Sequence, residues 1–209
     1  MKTTLKSILE AQAKISSNNP DATAAFERYL EDLRSKGAGK GLSIGDLAPD
    51  FALKDATGNM ITLAEELKKG PIILIFYRGE WCPFCNLQLK AYERIMKDIK
   101  LAGAQLIAIS PQTPDHSLSQ KEKQGLSYIV LSDLQNKVAE MYNLKYTLPQ
   151  FMHDKLNTLS KINGDDSFEL PVPATYVINQ NRIIVAGISN INHRTRMEPS
   201  EALDIIKSL

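Results

Sequence analysis

Residues 71–77, Pro-Ile-Ile-Leu-Ile-Phe-Tyr, form a near-continuous apolar run, and the only two cysteines of the chain, Cys82 and Cys85, follow it within a few positions. An apolar run without polar alternation reads as a strand buried on both faces, hence a central one. Beyond the cysteines, Leu87, Leu89, Tyr92, Ile95, Met96 and Ile99 recur at helical spacing. The spacing predicts one long helix to about residue 102, stopped by Gly103. Residues 104–110, Ala-Gln-Leu-Ile-Ala-Ile-Ser, repeat the buried-strand pattern. Strand, helix and strand in that order make a right-handed crossover with parallel pairing. The expected class is α/β, a mixed central sheet with helices on both faces.

The cysteines therefore sit where a central strand hands over to a helix. A helix N-terminus presents unpaired N–H groups and a positive dipole end, and both favour an anion. Cys82 opens the helix, so its thiol is placed to ionise below its ordinary value of about 8.5. Pro83 suits the first helical turn, where its missing N–H costs nothing. Cys85 lies about one turn later, within reach for a small disulfide loop. A tetrahedral zinc site needs four ligands, but there is no second cysteine pair, and His116, His153 and His193 are scattered. Haem attachment needs His directly after Cys85, where Asn86 stands. A chain of 209 residues buries enough core to need no structural staple. Redox chemistry is the expectation, with no metal or organic cofactor.

The net charge is +1, from 25 basic and 24 acidic residues spread along the chain. No basic block or acidic tail points to nucleic acid or an anionic surface. The first residues, Met-Lys-Thr-Thr-Leu-Lys, lack the apolar core of a signal peptide, and no apolar run is long enough to span a bilayer. A soluble, cytoplasmic protein is expected.

Residues 1–41 read as an N-terminal helical extension and linker. Leu5, Ile8, Leu9, Gln12 and Ile15 form a weak stripe. Asn18-Asn19-Pro20-Asp21 is a cap and helix start, and Ala22, Ala25, Phe26, Tyr29, Leu30 and Leu33 form a stronger stripe ending at Gly37. Two readings stand open: the pair packs on its own domain, or it forms a homodimer contact. Residues 37–41, Gly-Ala-Gly-Lys-Gly, read as a flexible linker. In the main domain, 42–209, a hairpin is expected over 51–63, helices over 64–69, 115–124 and 136–142, and a strand over 127–131. A strand pair over 174–188 and a closing helix from Pro199, with Leu203 and Ile206 inward, complete it. Residues 143–170 read as an insertion at the rim of the site, with a helix over 149–159.

Residues 77–89, Tyr-Arg-Gly-Glu-Trp-Cys-Pro-Phe-Cys-Asn-Leu-Gln-Leu, resemble the peroxiredoxin-like branch of the alkyl hydroperoxide reductase / thiol-specific antioxidant family. Residues 45–53, 109–114, 131–133, 138–142 and 173–178 match the pattern of that family too, so the resemblance runs from about residue 42 to the end. It implies a thioredoxin-like fold and an antioxidant thiol peroxidase. Cys82 would attack a hydroperoxide and become a sulfenic acid, Cys85 would resolve it to a disulfide, and an external dithiol such as thioredoxin would reopen it. Cys85 has a second reading as a buried small hydrophobe that shields Cys82. Arg78 either supports the thiolate and polarises the peroxide, or is a surface arginine paired with Glu80 or another carboxylate. Glu80 reads as solvated, with a proton relay as the alternative. Trp81 would wall the pocket. Tyr77 either hydrogen-bonds near the sulfur or belongs to the core. Pro173 resembles the cis-proline of thioredoxin folds, which would hold a partner chain. His116, His193, Arg194 and Arg196 read as surface residues, with a site role for the two arginines as the alternative.

Three positions depart from the family pattern. Its Pro-x-x-x-Thr/Ser-x-x-Cys motif has Ile75 and Gly79 in place of Pro and Thr/Ser, and Pro173 stands where a second arginine belongs. These changes lean towards a thioredoxin-like thiol–disulfide oxidoreductase, the alternative to the peroxidase. A redox-sensing interaction module is a third reading.

Overall fold

The computed structural model describes residues 4–17 and 19–209. Helices α1 (Leu5–Ser16) and α2 (Pro20–Ser35) come first, then the hairpin β1 (Ala52–Asp55) and β2 (Met60–Thr62) and the short α3 (Leu63–Leu67). Strand β3 (Ile72–Phe76) leads into α4 (Pro83–Glu93) and α5 (Met96–Leu101), followed by β4 (Gln105–Ser110), α6 (Pro114–Gln124), β5 (Ile129–Ser132) and α7 (Lys137–Met141). Next come β6 (Lys145–Thr147), α8 (Leu159–Asn163) and β7 (Glu169–Pro171). The chain closes with β8 (Ala174–Ile178), β9 (Ile184–Ser189) and α9 (Pro199–Lys207).

The main sheet runs β2-β1-β5-β4-β3-β8-β9. β3 pairs parallel with β4 and antiparallel with β8, so the sheet is mixed and the apolar run lies inside it. Successive strand residues point to opposite faces, and β3 shows why no polar residue is tolerated there. Ile72, Leu74 and Phe76 enter one core with Leu63, Tyr142 and Tyr176. Ile73, Ile75 and Tyr77 enter the other with Cys82, Cys85, Leu89 and Tyr92.

The two leading helices divide between these cores. Tyr29, Leu30 and Leu33 of α2 join the first, and Leu5 and Leu9 of α1 join the second. Part of each apolar stripe that admitted a homodimer reading is thus used within the chain, while Ile15 stays exposed. Burying one such leucine is worth about 1.5–3 kcal/mol. The Glu198 carboxylate, at the N-cap of α9, accepts from the backbone N–H groups of Leu5 (3.0 Å) and Lys6 (2.6 Å), which ties the start of α1 to the end of the chain. Asn19 caps α2 and Pro20 opens it; Asn18, read with them, lies outside the described residues.

Three sequence expectations change. Residues 37–41 are packed rather than loose: a Cβ on Gly39 would lie 2.1 Å from Val172, and one on Gly41 would lie 2.5 Å from Ser189 and Tyr176. Their glycines serve close approach and positive φ, not flexibility. The predicted long helix is two, because the Ile95 N–H turns back three residues to the Tyr92 carbonyl and breaks the run between α4 and α5. The predicted helix over 149–159 is a pair of 3-10 turns, Gln150–Met152 and Asp154–Leu156, before α8. β6 and β7 pair antiparallel as a separate ribbon across this region.

Candidate active site

After β3 the Tyr77 N–H still bonds to the Ile109 carbonyl at 3.0 Å, and then the chain leaves the sheet. Gly79 turns at φ +133, with Trp81 packed so close that a Cβ would meet its Nε1 at 2.8 Å. Cys82 is the N-cap of α4 in extended backbone, and Pro83 is the first helical residue. Both cysteines are free thiols with no exposed surface.

Arg78 is 5% exposed, and its Nη2 donates to the Cys82 Sγ at 3.3 Å. Its guanidinium carbon lies 4.8 Å from the centre of the Trp81 ring. Among the described residues Arg78 makes no ion pair with a carboxylate; the ionisable groups that favour its charge are Cys82, Tyr146, Tyr29 and Cys85. Pairing with Glu80 is ruled out, because Glu80 binds His116 instead (Oε1 to Nδ1, 2.5 Å). A buried guanidinium needs a counter-charge, and the Cys82 thiolate is the group in place to supply it.

A second guanidinium approaches from the other side. Arg196, in the turn between β9 and α9, has Nη2 3.8 Å from the Cys85 Sγ, and its Nε donates to the Gln88 Oε1 at 2.7 Å. Gln88 in turn donates to the Thr175 Oγ1 on β8 at 3.0 Å, which fixes the arm that holds Arg196.

The two thiols are driven apart. Burial alone would raise the Cys82 thiol, but the Cys85 thiol, the charges of Arg78 and Arg196 and the Arg78 hydrogen bond outweigh it and hold Cys82 well below the ordinary thiol range. Burial, together with the bond to Cys82 and the Cys82 negative charge, pushes Cys85 well above that range. One sulfur is poised as thiolate and its neighbour as thiol.

The remaining site candidates scatter around this pair. Trp81 is half-buried and bridges both cores. The Tyr77 hydroxyl donates to the Gln120 Oε1 at 2.8 Å, so Tyr77 belongs to the core and bonds to α6 rather than to sulfur. Register places Pro173 beside Tyr77, one step beyond the Phe76–Ala174 pair, but no cis peptide occurs among the described residues. Val172, just before it, is held extended by a 2.8 Å bond from its N–H to the Leu144 carbonyl. His193 is not a surface residue: it is buried edge-on to Phe26 and Phe84. Burial and the charges of Arg78, Arg196 and Arg194 hold it well below the ordinary histidine value, so it is neutral at pH 7. Arg194 stacks on the Phe26 ring at 3.8 Å. A cavity of about 240 Å³ opens between α2 and the start of α4, with Phe26, Tyr29, Arg78, Phe84 and His193 in its wall.

The AhpC/TSA family model matches residues 44–186. The chain belongs to the AhpC/TSA family. The match holds Arg78, Cys82 and Cys85, and leaves out α1, α2 and Arg196. Among curated relatives, a chloroplastic peroxiredoxin Q of Suaeda salsa is 27% identical over 163 residues, covering 78% of this chain and 65% of that protein. A putative peroxiredoxin bcp of Helicobacter pylori is 32% identical over 101 residues, covering 48% of this chain and 66% of that protein. The chain thus spans about two thirds of the length of these relatives. The peroxidoxin BcpB structure from Mycobacterium tuberculosis superposes with a TM-score of 0.65 at 24% identity, over 80% of this chain and 98% of that one. Peroxiredoxin Q of Xanthomonas campestris gives 0.60 at 14%, over 80% and 96%. These likenesses establish the peroxiredoxin-type thioredoxin-like fold. Arg196 was the functional candidate that sequence reasoning undervalued: the arginine missing at Pro173 is matched by one from a different segment, which only the topology brings near.

Proposed function

We propose that the chain is a thiol-dependent peroxidase for hydrogen peroxide or alkyl hydroperoxides. The Cys82 thiolate attacks the terminal peroxide oxygen; the S–O bond forms as the O–O bond breaks, and the departing oxygen takes a proton to leave as water or alcohol. The Cys85 thiol then attacks the sulfenic sulfur, water leaves, and a disulfide closes. An external dithiol such as thioredoxin restores both thiols by exchange. A reducing compartment such as the cytoplasm suits that cycle.

The observation that carries this reading is Arg78, a buried cation whose counter-ion is a sulfur rather than a carboxylate. A sulfur with no exposed surface suits a small oxidant better than a protein disulfide, which weighs against the oxidoreductase alternative. The trans peptide before Pro173 weighs the same way. Stopped-flow oxidation of the reduced protein, followed by Trp81 fluorescence with Cys82→Ser as blank, tests it. Acceleration over a free thiolate on the order of a thousand-fold is expected. A rate near that of a free thiol, together with ready reduction of protein disulfides, would overturn it.

A further inference from the structure

The turn that carries Arg78 has no hydroxyl. Gly79 stands there at φ +133, and a side chain would strike Trp81. Yet breaking an O–O bond releases hydroxide or alkoxide, which needs a proton at once.

Two phenols lie beside Arg78. Tyr29, from α2, and Tyr146, from β6, are 2% and 6% exposed, and their hydroxyl oxygens are 2.7 Å apart. Two hydroxyls sharing one hydrogen bond use one proton. The other has no acceptor among the described residues, and a buried donor without an acceptor is costly. Tyr29 lines the same cavity as Arg78, and Tyr146 does not. Either hydroxyl can donate in this bond; when Tyr146 donates to the Tyr29 oxygen, the Tyr29 proton is left to face the cavity.

From this geometry we infer that Tyr29 is a catalytic residue, the acid that protonates the departing peroxide oxygen, with Tyr146 as its positioning partner. The inference rests on the peroxidase reading above. The Cys82 thiolate attacks the terminal oxygen of R–O–O–H. Sulfur is oxidised by two electrons and the O–O bond is reduced by two. The leaving R–O⁻ takes the Tyr29 proton to become R–OH. The Tyr29 phenolate, held by the Tyr146 hydroxyl and the Arg78 charge, recovers a proton from solvent. Burial raises the Tyr29 hydroxyl, and Arg78 opposes that rise. Hydroxide and alkoxide are far stronger bases than a phenolate, which favours the transfer. Tyr29 lies outside the segment matched by the family model, so the extension supplies chemistry that the segment lacks.

The test compares oxidants that differ in their need for a proton. tert-Butyl hydroperoxide and hydrogen peroxide release strong bases, whereas peracetic acid releases acetate, which needs no proton. Single-turnover oxidation of Cys82 is measured by Trp81 fluorescence in the wild type, Tyr29→Phe and Tyr146→Phe. Tyr29→Phe should slow the first two oxidants about 100-fold and leave peracetic acid within about two-fold, in line with loss of a general acid. Tyr146→Phe should show the same pattern at about ten-fold, the worth of one hydrogen bond to a charged oxygen. Equal slowing with all three oxidants in both variants would make the pair structural and overturn the inference, as would no slowing with any. A wild type oxidised no faster than a free thiolate by every oxidant would instead overturn the peroxidase reading.

Discussion

Replacing Arg78 by Met keeps the length and apolar stem of the side chain but removes the charge 3.3 Å from the Cys82 sulfur. At that distance and an effective dielectric of about 20, the attraction comes to about 5 kcal/mol. Desolvation offsets much of it, and a hydrogen bond to a charged group is worth about 1.5–3 kcal/mol net. At about 1.4 kcal/mol per pKa unit, Cys82 should rise by about one to two units. The assay is alkylation by iodoacetamide across pH, with the modified peptides separated by mass so that Cys82 and Cys85 are read individually. Arg78→Lys should fall between wild type and Met, since an ammonium keeps the charge but loses the planar fork. An unmoved Cys82 inflection in Arg78→Met would refute the reasoning and leave the helix N-terminus as the source of the acidity. Stability follows with a definite sign. With the native thiol depressed and the unfolded one near 8.5, the unfolded chain binds more protons between the two values, so stability rises with pH across that window. The contribution is complete above about 8.5 and lost as pH falls through the native value; Arg78→Met should flatten that slope in urea titrations.

Arg196→Leu should raise the Cys82 inflection by less than Arg78→Met does, because its Nη2 reaches the Cys85 sulfur at 3.8 Å and not Cys82; a larger effect would reverse the assigned ranking. Gly79→Ala should cost about 1–3 kcal/mol in chemical denaturation and shift Trp81 emission, since the new methyl meets the indole nitrogen at 2.8 Å in backbone that L-residues avoid. Cys85→Ser should still be oxidised by peroxide but stop at a sulfenic acid that dimedone captures; a disulfide-linked product in that variant would mean that another thiol resolves Cys82.

Local pattern carried the centre of the fold. β3, β4 and the start of α4 were legible because an unbroken apolar run and a 3.6-residue stripe are properties of neighbouring residues. The break at Ile95 was not, since the stripe continues through it and only a three-residue backbone bond marks the change. Within the site, the cysteines and Arg78 were legible from their spacing. Arg196 was not, because its place depends on β9 lying beside β8, and β8 beside β3. The one sequence trace was its position just before Glu198-Pro199, the start of a helix that must return to the sheet. His193 looked like a surface residue because its burial comes from Phe26 and Phe84, both distant in sequence. Tyr29 was legible as a core residue of α2, but its hydroxyl partner Tyr146 lies 117 residues away.

The bond from Glu198 to the first turn of α1 bears on how this protein is handled. Trimming to residues 44–186 would remove the cavity roof and the turn that bears Arg196, leaving the motif cysteines with a different acidity. A milder cut that removed only the leading helices would free the Glu198 carboxylate two positions from Arg196, where it could compete with sulfur for the guanidinium. The setting of the motif cysteines thus depends on both ends of the chain as well as on the motif.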